Sequence, residues 1–299
     1  MSIKRKKKIK DFQHNYLNLT IECNKETIDD LVKDFDAIVV GSDQVWGPAF
    51  HGTKVYFLGN MPSFHGKKIS YAPCCAYNKV NENDKSCLSH LLQQFDSISV
   101  RNSETQTFVR DLINVDVPIV QDPIFLYDFE KEKNSFVVPY KKFILTYLIG
   151  EEINGGNENA IEEIKIVYGD IPVIAITLST PETLKYFSWA DQVYWNLSPF
   201  EWLSLIHSCT FLYTDSFHGM AFALKYQKPF IAFYSEEKRK SRFLDFMNRF
   251  DLSNVIVNSV SDIIRNNSVV NNVNYQKVNN LLEKELIKST EFLNRSFFE

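Results

Sequence analysis

Cysteine is too sparse and too unevenly placed here for either of its paired uses. The five residues, Cys23, Cys74, Cys75, Cys87 and Cys209, are odd in number and contain no Cys-x-x-Cys. That argues against a disulfide framework and a zinc site and fits reduced thiols in the cytosol. No other metal-ligand spacing occurs, so metal-independent chemistry without a cofactor is expected. Long apolar runs are lacking too. The longest reach about half of the roughly 20 residues a membrane helix needs, and no apolar h-region stands at the N-terminus. Charge of one sign is scarce: the formal net charge of −4 gives no global reason to expect nucleic acid. The exception is local, since "MSIKRKKKIK" carries six Lys or Arg in ten residues. It reads as a solvated helix face or as a patch for acidic lipid head groups. The expectation is a cytoplasmic protein with no membrane span, its contact with the inner membrane face left open.

What the chain does have is core material: 44% of its 299 residues are hydrophobic, with 24 Phe among them. Nearly continuous apolar runs at 36–41, 67–72, 97–100, 142–148, 172–178, 210–214 and 229–234 read as strands covered on both faces. Helical patterns lie between several of them, at 85–95, 104–113, 158–168 and 199–208. Alternation of this kind predicts a doubly wound α/β fold with parallel sheets. The polar stretch 128–142 divides the pattern into two comparable halves, 1–130 and 131–299. "SPFE" (198–201) is a clear helix start, with Ser198 as N-cap, Pro199 at the first position and Glu201 placed for a capping box. The stretch 273–297 reads as a closing amphipathic helix.

In open α/β sheets ligands sit beyond the carboxyl ends of strands, so the residues just after each run carry the functional reading. "GSDQVW" (41–46) offers Ser42, Asp43 and Gln44 as hydrogen-bonding groups and Trp46 as a flat surface for a sugar or base; an Asx or Ser turn is the structural alternative. Arg101, after 97–100, presents a planar fork for carboxylate or phosphate, or a structural salt bridge. "TDSFHGM" (214–220) puts Asp215, Ser216, His218 and Gly219 at a helix mouth, where backbone N–H groups favour an anion and an imidazole can move a proton near neutral pH. A helix cap or surface histidine is the alternative. The run 235–242, with Lys238, Arg239, Lys240 and Arg242, reads as a basic loop at a further strand end.

Taken in order, "GSDQVW", "ISYAPCCAY", "ISVRNSE", "QDPIFLYD", "SPFEWLSLIHSC" and "YTDSFHGMAFALKYQKPF" resemble the polysaccharide pyruvyl transferase family over residues 35–250. The resemblance implies a GT-B-like pair of Rossmann-like lobes, the first on the acceptor side and the second on the donor side. It implies transfer of the pyruvyl group of phosphoenolpyruvate to sugar hydroxyls of a glycan precursor, lipid-linked or not, as a cyclic ketal. Carried over by motif position, His218 is the acid, Arg101 holds the donor carboxylate or phosphate, and Asp43 orients or deprotonates the acceptor. Ser42, Gln44, Trp46, Asp215, Ser216, Gly219, Lys238 and Arg242 assist in binding, and Asp122 fixes a turn. Cys74, Ala76, Asn102 and Gly47 depart from the family's usual residues. The N-terminal lobe is expected to lack its first β/α unit or units. The alternatives are a glycosyltransferase of the same fold using a nucleotide sugar, and a truncated, catalytically silent binding protein.

Overall fold

The structure is a computed structural model and describes residues 3–24, 26–52, 54–59, 61–75, 80–178, 187–234, 237–270 and 272–299. The chain forms two compact units. One comprises Met1–Thr20 with Asp128–Asn279, the other Ile21–Tyr127 with Asn280–Glu299. Helix α1 (Ile3–Tyr16) therefore belongs with residues 128–279.

The 21–127 unit contains α2 (Ile28–Val32), β1 (Ala37–Val40), α3 (Pro48–His51), β2 (Lys67–Ser70), α4 (Glu82–Leu92), β3 (Ser97–Ile98) and α5 (Ser103–Ile113). Its strands lie parallel in the order β1-β2-β3, and a further parallel bridge joins Val100 to Ile119. Trp46, Phe57, Leu88, Leu92 and Phe108 pack its core.

The 128–279 unit adds β4 (Ile144–Leu148), α6 (Asn157–Tyr168), β5 (Val173–Thr177), β6 (Gln192–Tyr194), α7 (Pro199–Ser208), β7 (Phe211–Thr214), α8 (Phe217–Lys225), β8 (Phe230–Phe233), α9 (Glu237–Phe250), β9 (Ile256–Val257) and α10 (Val260–Arg265). Every strand pairing is parallel, in the order β6-β5-β4-β7-β8-β9. The chain winds outward from β4 through β5 to β6, then returns to place β7 on the other side of β4. That reversal is the topological switch point of a Rossmann-like sheet, where a crevice opens beyond the strand ends. Strands β5, β7 and β8 are buried at every residue, as apolar strands covered on both faces should be. The closing helix α11 (Tyr275–Phe298) has its first residues in this unit and the remainder in the other.

Each strand read from the sequence is present, as is the "SPFE" start: Ser198 Oγ accepts from the Glu201 amide, and the Glu201 carboxylate accepts from the Ser198 amide. The short strands β6 and β9 are additions. The basic stretch expected as a loop is instead, from Glu237 onward, the start of α9. Phe243, Phe246 and Phe250, at helical spacing and all buried, supply the apolar face that makes it a helix.

Candidate active site

In the 21–127 unit three strand-end loops are laced together. Gly41, with φ of +129°, closes the first approach: a Cβ there would lie 2.0 Å from the Tyr71 carbonyl oxygen. The Asp43 carbonyl accepts from the Cys74 amide (2.7 Å), and the Arg101 amide donates to the Pro73 carbonyl (3.1 Å). The Arg101 side chain, only 3% exposed, then lies between two carboxylates. Its Nη1 donates to Asp122 Oδ2 at 2.7 Å and its Nη2 to Asp43 Oδ1 at 3.0 Å. Burial alone would lower its proton affinity, but electrostatic interactions with Cys74, Asp122 and Asp43 outweigh this and hold the guanidinium above its ordinary pKa. Asp122 also accepts from the Ile124 amide at 3.1 Å, so it fixes a turn as expected and anchors Arg101 as well. Asp43 keeps 55% of its side chain exposed. Ser42 and Gln44 are half-buried on the same loop.

In the 128–279 unit Asp215, 1% exposed, bridges the switch point. Its carboxylate accepts from the Ile149 amide at 2.7 Å and the Gly150 amide at 2.6 Å, tying the loop after β4 to the end of β7. Ser216 Oγ caps α8 by accepting from the Gly219 amide (3.3 Å). A Cβ on Gly219 would meet Thr214 Oγ1 at 2.6 Å, and that hydroxyl donates to the Tyr147 carbonyl at 2.7 Å. His218, half-buried beside the Phe217 ring, lines a cavity of about 300 Å³ at the carboxyl ends of β4 and β5. Tyr147, Trp195, Trp202 and Phe222 form aromatic walls, with Thr177, Ser198 and Arg5 as further polar groups. No Asp or Glu is among the described residues lining it.

The sequence model of the family described as "Polysaccharide pyruvyl transferase" matches residues 2–237. The chain belongs to that family. It is therefore a member of a family of transferases, and the match takes in both strand-end clusters. Among solved structures it is similar to the UDP-GlcNAc 2-epimerase from Neisseria meningitidis bound to UDP-GlcNAc, at 12% identity and a TM-score of 0.51 over 89% of this chain and 79% of that one. It is similar also to the UDP-N-acetylglucosamine 2-epimerase from Rickettsia bellii, at 11% identity and a TM-score of 0.50 over 92% and 80%. The lipopolysaccharide outer core galactosyltransferase WaaB is 12% identical, with a TM-score of 0.52 over 92% and 78%. Likeness at this level speaks to fold, and it bears out the GT-B class of two Rossmann-like, parallel-sheet lobes. No curated protein matches the chain in sequence. Among the described residues no helix is long and apolar enough to cross a membrane.

For this pyruvyl transferase family member the residues singled out in the sequence fall in different places. His218 lines a cavity, and Asp43 is exposed at a strand end, positioned by Arg101. Trp46 is a correction: it is 0% exposed, its Nε1 donates to the Tyr56 carbonyl at 2.8 Å, and its ring stacks on Phe57 at 5.5 Å. An indole so enclosed offers no face to a sugar. Arg101, expected to grip the donor, is likewise engaged by its own two aspartates. Asp215, Ser216 and Gly219 serve the scaffold that presents His218: two amides, a helix cap and a close helix–strand contact. Arg242 lies 5.8 Å from the Phe217 ring centroid, while the Lys238 side chain is outside the described residues. Tyr147 and Thr177 were within reach of sequence reading, since they end two recognised strands. Trp202 stands four residues beyond Ser198 on a recognised helix. Arg5 carried no such signal, because its place depends on where α1 docks.

Proposed function

We propose that this protein transfers the pyruvyl group of phosphoenolpyruvate to hydroxyls of a saccharide, forming a ketal, with His218 as the proton donor. The observation that carries the reading is the His218 imidazole in a cavity at the sheet's carboxyl edge with no acid among the described lining residues. Such a site favours an anionic ligand and can hold a proton for it. In the reaction the imidazolium protonates C3 of the enol, and the resulting electrophilic C2 is attacked by one sugar hydroxyl, which loses its proton. The C2–O bond to phosphate breaks and phosphate leaves. A second hydroxyl of the same sugar then adds at C2 and loses its proton; of the two hydroxyl protons one restores the imidazolium and the other leaves with phosphate, so that one phosphoenolpyruvate and one diol give a ketal and inorganic phosphate. The aromatic walls of the His218 cavity suit the apolar faces of a sugar ring.

Phosphate release from phosphoenolpyruvate in the presence of β-galactosides or other hexose acceptors tests the reading. His218→Ala should lower release about 10²- to 10⁴-fold, the usual contribution of a general acid, with an unchanged circular dichroism spectrum. Undiminished turnover would remove His218 from the mechanism. Thermal stabilisation by a nucleotide sugar and not by phosphoenolpyruvate would favour the glycosyltransferase reading instead.

A further inference from the structure

Helix α1 meets the 128–279 unit along one stripe. Arg5, Lys8, Ile9 and Phe12 are half-buried at helical spacing, while Lys6, Lys7 and Lys10 are exposed. Lys8 Nζ donates to both oxygens of Glu201 at 2.7 Å. Phe12 and Tyr16 pack edge-on against Phe200, with centroids 5.2 and 4.7 Å away. Both partners lie in the first turn of α7, whose Ser198 and Pro199 line the His218 cavity. With α1 pinned there, its preceding turn reaches the cavity wall. Arg5 Nη1 donates to the carbonyl of Leu178, just past the end of β5, at 3.3 Å, and Arg5 and Ile9 line the same cavity as His218.

We propose that Arg5 is the anion-binding residue of the His218 cavity, gripping the carboxylate or phosphate of the small anionic substrate that His218 protonates. The inference rests on the function proposed above and adds a residue to it. Three features support it. Arg5 is the one Lys or Arg among the described lining residues, so it brings the permanent positive charge there. Its position is the carboxyl edge of a parallel sheet, where such folds take their ligands. Its planar fork suits bidentate binding of a carboxylate or phosphate, which a lysine in the same place could not reproduce. Lys8, the other cation in the docked stripe, pairs with Glu201 and is not among the described residues lining that cavity. The basic N-terminus thus has a division of labour, with one face docked to build the cavity and the other carrying the charges in water.

The test compares the full-length protein with Arg5→Ala, Arg5→Gln and Arg5→Lys, and with Lys6→Ala on the exposed face, by titration with phosphoenolpyruvate and by phosphate-release kinetics. Loss of a charge-assisted contact should weaken phosphoenolpyruvate binding about 10- to 100-fold in Arg5→Ala and Arg5→Gln. KM should rise correspondingly while kcat stays within a few-fold. Arg5→Lys should recover part of the loss, and Lys6→Ala should match the parent. Arg5→Gln retains a long helix-compatible side chain, so a loss common to both neutral variants, with unchanged hydrogen exchange across residues 6–16, assigns the effect to charge at the cavity. If the parent binds phosphoenolpyruvate and the neutral variants bind it equally well, this inference is overturned and the proposed function stands. If the parent does not bind phosphoenolpyruvate at all, both fall.

Discussion

Two arginines show how residue type underdetermines role. Arg101 reads in sequence equally as a ligand clamp or a structural salt bridge, and it is buried between Asp43 and Asp122. Arg5 reads as one of many solvated cations, yet it lines a cavity. A sequence shows that an arginine follows a strand; whether carboxylates from neighbouring loops meet it depends on how those loops close. "TDSFHGM" teaches the same lesson on a smaller scale. Its position at a strand end was legible, but which of its side chains turn inward to amides and which faces a cavity was not. The Arg101 triad has an energetic consequence. Asp122 is 2% exposed, and its removal leaves a buried guanidinium with a carboxylate lost, whereas Asp43 is 55% exposed and partly screened. Asp122→Ala should destabilise the 21–127 unit by about 3–5 kcal/mol, and Asp43→Ala by about 1 kcal/mol or less. Denaturant unfolding of the two variants checks the order. Equal losses would mean that the buried pair is no more important to the fold than the exposed one. Gly219→Ala should also be costly, about 1–3 kcal/mol, since its Cβ would lie 2.6 Å from Thr214 Oγ1; a thermal melt reads this directly.

Elements were more legible than site residues, because periodicity is a property of the element itself. The capping box at Ser198 and Glu201 could be read from four letters, and the apolar strands from their composition. Strands β6 and β9 escaped because three and two residues are too few to show a period, and the sheet supplies what their own sequence lacks. The start of α9 escaped because its charges dominate the first turns while its apolar face begins only at Phe243. Helix α1 adds a dependence on pH. Burial tends to raise the Glu201 pKa, but the hydrogen bond from Lys8, those from the Ser198 amide and hydroxyl, and the Lys8 charge outweigh it, so the folded-state value lies below the usual 4.5. A depressed carboxylate stabilises the folded form above its unfolded value and loses that contribution as pH falls through the folded one. The docking of α1 should therefore persist at neutral pH and loosen below about pH 4.5. Hydrogen exchange across residues 5–16, corrected for intrinsic rates, should show protection falling in that window. Glu201→Gln should reduce the protection already at pH 7 and flatten its acid dependence.

At the scale of the whole chain, the sequence reading places the division at 130/131, within the polar stretch 128–142, and assigns each end to the nearer half. The units group the ends otherwise: Met1–Thr20 goes with Asp128–Asn279, and Asn280–Glu299 with Ile21–Tyr127. The apolar stripe of a terminal helix says that something covers it, and nothing in its own residues says which sheet does. For α11 the cover is specific. Ser289 Oγ accepts from the Gln121 amide at 2.9 Å, Lys67 donates to the Ser296 carbonyl at 3.2 Å, and Phe292 and Leu293 pack on Tyr71, Ala72 and Val120. Ending the chain after Asn279 would leave the Gln121 amide unmatched and uncover those three residues, at a cost to the 21–127 unit of about 2–4 kcal/mol. The 128–279 unit would keep its sheet, the cover of Val278 and the hydrogen bond from the Tyr275 hydroxyl to the Lys228 carbonyl. Segment-resolved hydrogen exchange should then show protection lost across β2, β3 and residues 118–122 and retained across β4, β7 and β8. Uniform loss in both units would show that they unfold as a single cooperative body, and the stability of each would depend on the other's termini.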